Sequence, residues 1–280
     1  MTFRFTSPLV FVVLAAGSLS LAAQQAFAEG PFADANLETA VRAMLFDKKD
    51  PKTALTDDDL RKVFILEAKG KGIKSLAGLE KCSNLQLINL AGNEVVDVAP
   101  LKGLANLQSL DLSKNKIADV TPLAGLAGMQ YLELSGNQLA SLPPLDAMTK
   151  LSALYLAENK LADLKPLAKL TKLSSLDLAK NQVKDLAPLA DIKRLSLLKL
   201  SDNQLENLAG IGAFTQLSML FLERNKISDL QPLVDAAKAD AEGEKRFTPY
   251  LRLYLDGNPL SDKAKNEQAP ALKGFGVRVQ

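Results

Sequence analysis

Hydrophobic and polar positions recur with a fixed period along most of this chain. An asparagine returns every 22 residues, and apolar residues stand three, five and eight positions before it, as Leu112, Leu110 and Leu107 stand before Asn115. The last asparagine follows after 33 residues and places Tyr250 eight positions before it. Apolar residues that alternate with polar ones predict a short strand with one buried face. The repeating asparagines are Asn93, Asn115, Asn137, Asn159, Asn181, Asn203, Asn225 and Asn258.

The second half of each repeat predicts a short helix. Four positions after the asparagine stands a residue type that favours helix N-caps, and in most repeats a proline follows three residues later. A calcium site along this polar column is the alternative, but capping accounts for the residues, and no calcium-loop pattern is present. The column consists of Asp97, Asp119, Ser141, Asp163, Asp185, Asn207 and Asp229.

This two-part repeat predicts an α/β leucine-rich-repeat solenoid. The fold is a right-handed superhelix with a parallel β-sheet on its concave face and short 3₁₀ or α helices on its convex face. The asparagine side chains carry both donors and acceptors, so we expect them to form a structural ladder that binds backbone groups of the turn and the next coil. Cys82 falls in an apolar column and is expected to be a small buried side chain, with a reactive thiol or an intermolecular disulfide as the alternative.

The ends of the chain depart from the repeat. Residues 1–28 have the pattern of a signal peptide cleaved after Ala28, with an uncleaved anchor as the alternative. Residues 29–62 predict a helical N-terminal cap, in which Leu37, Val41 and Leu45 share one helix face. Residues 63–258 then hold eight or nine coils.

Two further segments lie near the C-terminus. An insertion near 234–248 predicts a longer helix on the convex side or the rim, either as a solvated element or with a function of its own. Residues 259–280 predict a C-terminal cap. In this cap we expect a helix that starts at Ser261, ends at Gln268 and is broken by Pro270, followed by a strand at 277–279.

Composition narrows the function. The chain has no histidine and one cysteine, which excludes the usual zinc, haem and iron–sulfur ligand sets and every catalytic group that needs histidine as a base. Residues 1–28 hold one charge, so the remainder has 33 basic and 32 acidic residues, a balance that argues against nucleic acid as a partner. We expect no enzyme activity, no cofactor and no metal, and a monomer that is secreted or periplasmic.

The repeat resembles that of the bacterial internalin-type leucine-rich repeat proteins. The resemblance rests on the pattern N-x-[I/L/V]-x-D-[L/V]-x-P-L-x-x-L and on residues 55–60 and 72–79, which are similar to that family's cap and first coil. It implies a protein-binding scaffold without catalysis. The sequence ends at Gln280 without the Ig-like domain or cell-wall sorting signal of the host-cell adhesins, so the resemblance does not extend to an adhesin role.

Residues that point outward from the predicted strands form the candidate site. They combine an apolar and aromatic set with acidic and basic neighbours, a composition typical of partner surfaces. We expect the concave face to bind a protein or peptide. An architectural envelope component and a carbohydrate binder are the alternatives. An acid–base enzyme would need a pocket that an open sheet lacks. The candidate residues are Tyr131, Tyr155, Leu197, Met219, Phe221, Tyr254, Asp111, Glu133, Asp177, Lys199, Arg224 and Arg252.

Overall fold

The computed structural model describes residues 30–280, and the predicted signal peptide lies outside this range. In the described range ten strands form one parallel sheet in chain order. None of the helices in residues 30–280 has the length and hydrophobicity needed to cross a membrane. The strands are β1 (Ile65–Glu67), β2 (Leu87–Asn89), β3 (Ser109–Asp111), β4 (Tyr131–Glu133), β5 (Ala153–Tyr155), β6 (Ser175–Asp177), β7 (Leu197–Lys199), β8 (Met219–Phe221), β9 (Arg252–Tyr254) and β10 (Arg278–Val279).

The strand register follows the 22-residue period. Leu110 pairs with Leu132, and Leu132 pairs with Leu154, so the middle residues of β1 to β9 form one buried column. Leu220 of β8 pairs with Leu253 of β9, a step of 33 residues, because the connection between these two strands is longer than the others. The first and third residues of β1 to β9 point away from this core. The structure therefore confirms the predicted leucine-rich-repeat solenoid.

Short 3₁₀ helices cover the other side of the coils. Before the helices that start with an x-Pro pair, the polar column lies one residue before the N-cap, and its side chain accepts from the first helical N–H: Asp119 Oδ1 accepts from the Thr121 N–H at 2.8 Å. These side chains therefore cap the helices from the position before the N-cap, and not from the N-cap itself as predicted. The helices are Leu79–Lys81, Ala99–Leu101, Thr121–Leu123, Lys165–Leu167, Ala187–Leu189 and Ile211–Ala213.

One coil has no such helix. Within the described residues, the segment from Ser141 to the start of β5 contains no regular helix, so the prediction that Ser141 caps one is wrong. Two residues after Ser141 stands Pro143, which has no N–H to donate to the serine side chain. Pro144 then disfavours helical backbone angles at Pro143. The sequence contained this signal in its two consecutive prolines.

The N-terminal cap seals the first coil. Helix α1 (Ala35–Ala43) buries Leu37 and Val41 against the core, as their spacing predicted. Asp34 caps this helix with one carboxylate oxygen, which accepts from the Leu37 N–H at 3.1 Å. Its other oxygen accepts from the Lys74 N–H at 2.7 Å, so one side chain joins the cap to the repeats.

A second, four-residue helix completes this cap. Helix α2 (Asp57–Leu60) starts with a capping box, in which Thr56 and Asp59 each accept a hydrogen bond from the other's backbone. Asp59 also forms an ion pair with Lys48 at 3.3 Å. Its pKa lies below its ordinary value, chiefly because of the hydrogen bonds from Thr56.

The insertion contains helix α3 (Gln231–Glu242), which starts three residues earlier than predicted and packs on the Ile211–Ala213 helix. Asp240 holds the loop that follows, because its carboxylate accepts from the Thr248 N–H at 2.9 Å and the Thr248 hydroxyl at 2.8 Å. This loop turns Tyr250 outward, with 64% of its surface exposed, and buries Leu251. The assignment of Tyr250 to the core column is therefore wrong.

The C-terminal cap is one continuous helical segment. A π-helix, Ala264–Gln268, leads directly into helix α4 (Ala269–Gly274), so the prediction that Pro270 ends the helix is wrong. The π-helix ends at Gln268, two residues before Pro270, and covers the turn in which a regular α-helix would clash with the proline ring. Strand β10 then closes the sheet, as predicted.

Cys82 lies fully buried in the apolar column at the start of the array. Burial raises the pKa of its thiol to about 12, with a smaller contribution from Glu80. A protonated thiol in this environment is a poor nucleophile. The structure confirms the expected role as a small buried side chain.

Candidate functional site: the outward face of the sheet

The first and third residues of strands β1 to β9 form what we call the outward sheet face, which is the concave face of a leucine-rich-repeat solenoid. The parallel register places each residue beside its equivalents on neighbouring strands. The sequence analysis missed Ile65 and Glu67, which β1 adds to this face. A step of 22 residues back from Leu87 and Asn89 would have found them.

Two pairs of aromatic rings stand on this face. Tyr131 and Tyr155 lie on neighbouring strands with ring centroids 5.5 Å apart and planes tilted by 47°. Phe221 and Tyr254 stack in parallel, with centroids 4.4 Å apart. All four side chains are half-buried, and the half-buried Leu197 and Met219 form the neighbouring part of the first-position row.

From β3 to β9 the third residues of the strands form a row of charged and aromatic side chains. Tyr155 stands between Glu133 and Asp177. Lys199 follows, with its Nζ 3.1 Å from Asp177 Oδ2 and 5.9 Å from the ring centroid of Phe221. The basic group at this point of the face is therefore already paired within the chain.

The acidic end of the row differs from the basic end. Asp111 accepts from the Ser113 N–H at 2.9 Å, and Glu133 accepts from the Ser135 N–H at 2.8 Å. Within residues 30–280 neither carboxylate has a lysine or arginine nitrogen within 4.0 Å. Both carboxylates are partly exposed on the outward sheet face and are accessible to a binding partner.

The pKa values of Glu133 and Tyr131 are both raised, chiefly by burial and further by the neighbouring carboxylates. Burial raises the pKa of Glu133, and the charges of Asp111 and Asp177 add to this effect, while the hydrogen bonds from Ser135 oppose it. Burial also raises the pKa of Tyr131 to about 12, with further contributions from Glu133 and Asp111. Each carboxylate disfavours a second negative charge close by.

Of the two predicted arginines, Arg252 lies exposed on β9, but Arg224 lies apart from the outward sheet face. Arg224 follows β8 in a left-handed turn with φ of 52°, and its guanidinium donates to Asp202 at 2.5 and 2.6 Å. The same turn position carries Glu158 and Lys180, which pair at 2.7 Å. These charges form a ladder along the strand ends, so the assignment of Arg224 to the concave face is corrected.

The asparagine ladder lies behind the strand ends. Asn159 shows the shared geometry: its Oδ1 accepts from the Leu139 N–H at 3.0 Å, and its Nδ2 donates to the Leu134 and Leu156 carbonyls at 3.1 and 3.0 Å. Leu139 and Leu134 belong to the preceding coil. The side chain therefore joins its own coil to the one before it, where the sequence analysis expected the one after.

A family model of leucine-rich repeats matches residues 83–125, 105–147, 127–168 and 149–191 in overlapping copies. The structural neighbours include internalin C2 of Listeria monocytogenes, which is 27% identical, with a TM-score of 0.60 over 89% of this chain and 94% of that one. The chain therefore contains leucine-rich repeats, and its fold is similar to that of the bacterial internalins. A search of curated proteins found no match.

Two further solved structures share the fold of this chain. An internalin (InlF) of Listeria monocytogenes is 23% identical, with a TM-score of 0.50 over 89% of this chain and 95% of that one. A leucine-rich repeat protein of Leptospira interrogans is 24% identical, with a TM-score of 0.70 over 79% of this chain and 55% of that one.

Proposed function

We propose that this leucine-rich repeat protein is an exported, non-catalytic module that binds a protein or peptide on its outward sheet face. The observation that carries the proposal is the pair of stacked rings of Phe221 and Tyr254, half-buried on a sheet face that no element of the described chain covers. Large aromatic side chains at such positions are the usual anchors of protein interfaces. The leucine-rich repeats support a role in protein interaction.

Three further parts of the proposal rest on the sequence. Export rests on the signal-peptide pattern of residues 1–28, and the near balance of charge argues against nucleic acid. The chain acts as a monomer, because consecutive coils and the two caps bury the core within one chain. Determination of the N-terminal residue of the exported protein tests the first part: a start at Glu29 supports cleavage after Ala28.

The binding proposal is tested by capture with the purified chain as bait against the envelope and secreted fractions of the source cell. The double variant Phe221→Glu with Tyr254→Glu removes both stacked rings and places negative charge in their position. Tyr250→Glu is the matched control, because Tyr250 is an exposed tyrosine outside the face. Circular dichroism must show an unchanged fold in every variant.

The expected result is a partner that the wild type and the Tyr250 control hold and the double variant loses. Removal of one interface anchor typically costs at least about 2 kcal/mol of binding free energy, so loss of two abolishes capture. Equal capture by the double variant would move the site to the convex side or to α3. No partner for any variant would favour the architectural role.

A further inference from the structure

We propose that Tyr131, Tyr155, Asp111 and Glu133 form a subsite for a cationic side chain, arginine or lysine, of the partner protein. We call these four residues the tyrosine subsite. The inference rests on the proposed binding function and specifies the chemistry of one part of the partner. It does not depend on the Phe221–Tyr254 pair, which lies several strands away.

The register places the four side chains next to one another. Asp111, Glu133 and Tyr155 occupy equivalent positions on three consecutive strands, about 4.8 Å apart. Tyr131 starts the strand that Glu133 ends, and its ring lies 5.5 Å from that of Tyr155. Ala153 is the neighbour of Tyr131 on β5, and its small side chain leaves space beside the ring. A cation at this point meets aromatic faces and carboxylates together.

The chain itself shows the same chemistry at the other end of the row. There, Lys199 satisfies one carboxylate and approaches one ring, with its Nζ 3.1 Å from Asp177 Oδ2 and 5.9 Å from the centroid of Phe221. The tyrosine subsite has two rings and two carboxylates, but among the described residues it has no cation of its own. The partner is the remaining source of that charge.

The burial of Glu133 decides between a cationic and a neutral occupant. A sugar ring or an apolar side chain could also stack on tyrosines. Such a neutral group would remove more water from two carboxylates that lack a counter-charge, which disfavours binding. An ammonium or guanidinium group compensates this loss through the carboxylates and gains attraction from the ring faces.

The chain offers a direct reporter, because it contains four tyrosines and two of them form the subsite. Incorporation of 3-fluorotyrosine gives one fluorine resonance for Tyr131, Tyr155, Tyr250 and Tyr254, each assigned by its Tyr→Phe variant. The probe is a blocked pentapeptide with arginine at its centre between glycines. The same peptide with citrulline has the same shape without the charge.

We expect the arginine peptide to shift the resonances of Tyr131 and Tyr155 in a saturable manner, with Tyr250 unchanged as the internal reference. The shift should decrease as salt rises, since the carboxylates are partly exposed. The double variant Asp111→Asn with Glu133→Gln should lose the shift. Asp256→Asn, which removes an exposed carboxylate beyond β9, should retain it.

An equal response to the citrulline peptide would overturn the assignment of a cation. Shifts confined to Tyr254, or no shift at high millimolar peptide, would overturn the location. The proposed binding function is still supported after either result if the wild type captures a partner that the Phe221/Tyr254 double variant loses. If that capture experiment also fails, the binding function itself fails.

Discussion

Replacement of Asn159 by alanine tests the physical role of the asparagine ladder. The asparagine is buried near the middle of the array, and its side chain makes hydrogen bonds to one N–H and three carbonyls of strand-end backbone. Alanine can replace none of them, and the neighbouring coils hold the backbone groups in place. We therefore expect a loss of stability with little change in the fold.

The structure allows the size of this loss to be worked out. The carbonyls of Leu134 and Leu156 each accept from a second ladder asparagine, so each keeps one donor in the variant. The Ala157 carbonyl likewise keeps the Gly136 N–H as its donor. The Leu139 N–H has the Asn159 side chain as its partner in the described structure and becomes unpaired. A buried unpaired N–H costs about 1–3 kcal/mol, and the three lost bonds to carbonyls that keep another donor add up to about 1 kcal/mol together, which gives about 1–4 kcal/mol.

Urea denaturation of wild type and variant measures this difference, with an unchanged m-value as the check that the unfolding transition is comparable. Gln138→Ala is a matched control on the preceding coil, next to Leu139, because Gln138 is exposed, and we expect a change within about 0.5 kcal/mol. Asn258→Ala should cost less than Asn159→Ala, since Asn258 is partly exposed and water can replace its bonds. Equal stability of Asn159→Ala and wild type would refute the reasoning.

Three other predictions concern titratable groups. The folded pKa of Asp59 is lowered, chiefly by hydrogen bonds from Thr56. The stabilisation that ionised Asp59 provides is therefore present above about pH 4 and is lost as the pH falls. The urea midpoint of the Asp59→Asn variant should fall less between pH 5 and 3 than that of wild type. Cys82 should react with a thiol reagent at pH 8 in denaturant and stay protected in the native protein. Tyr131 should ionise near pH 12 in an ultraviolet titration, and its step should move to lower pH in Glu133→Gln.

Each of these has a clear contrary result. Parallel pH profiles for Asp59→Asn and wild type would show that the capping box adds no pH-dependent stability. Rapid native labelling of Cys82 would show that the first coil opens far more readily than its burial implies. A tyrosine titration that Glu133→Gln leaves unchanged would show that the carboxylate does not act on Tyr131.

The candidate site was only partly accessible to sequence reasoning. The rows of outward residues follow from the period of the repeat, so the neighbourhood of Tyr131 and Tyr155 could be anticipated. The pairing of Lys199 with Asp177 could not, because a long flexible side chain can take several partners. Arg224 shows the same limit, since its left-handed turn removes it from the face.

The sequence by itself determined the coil, because one period sets both the buried column and the parallel register: a strand that slipped by one residue would turn its leucines to solvent. Only the tertiary structure decided what happens where the period is interrupted. After the insertion, Asp240 fixes a loop that exposes Tyr250 and buries Leu251. In the C-terminal cap, a π turn accommodates Pro270 within a helix. At these points the outcome depends on individual contacts of residues that lie outside the repeat, which the period does not specify.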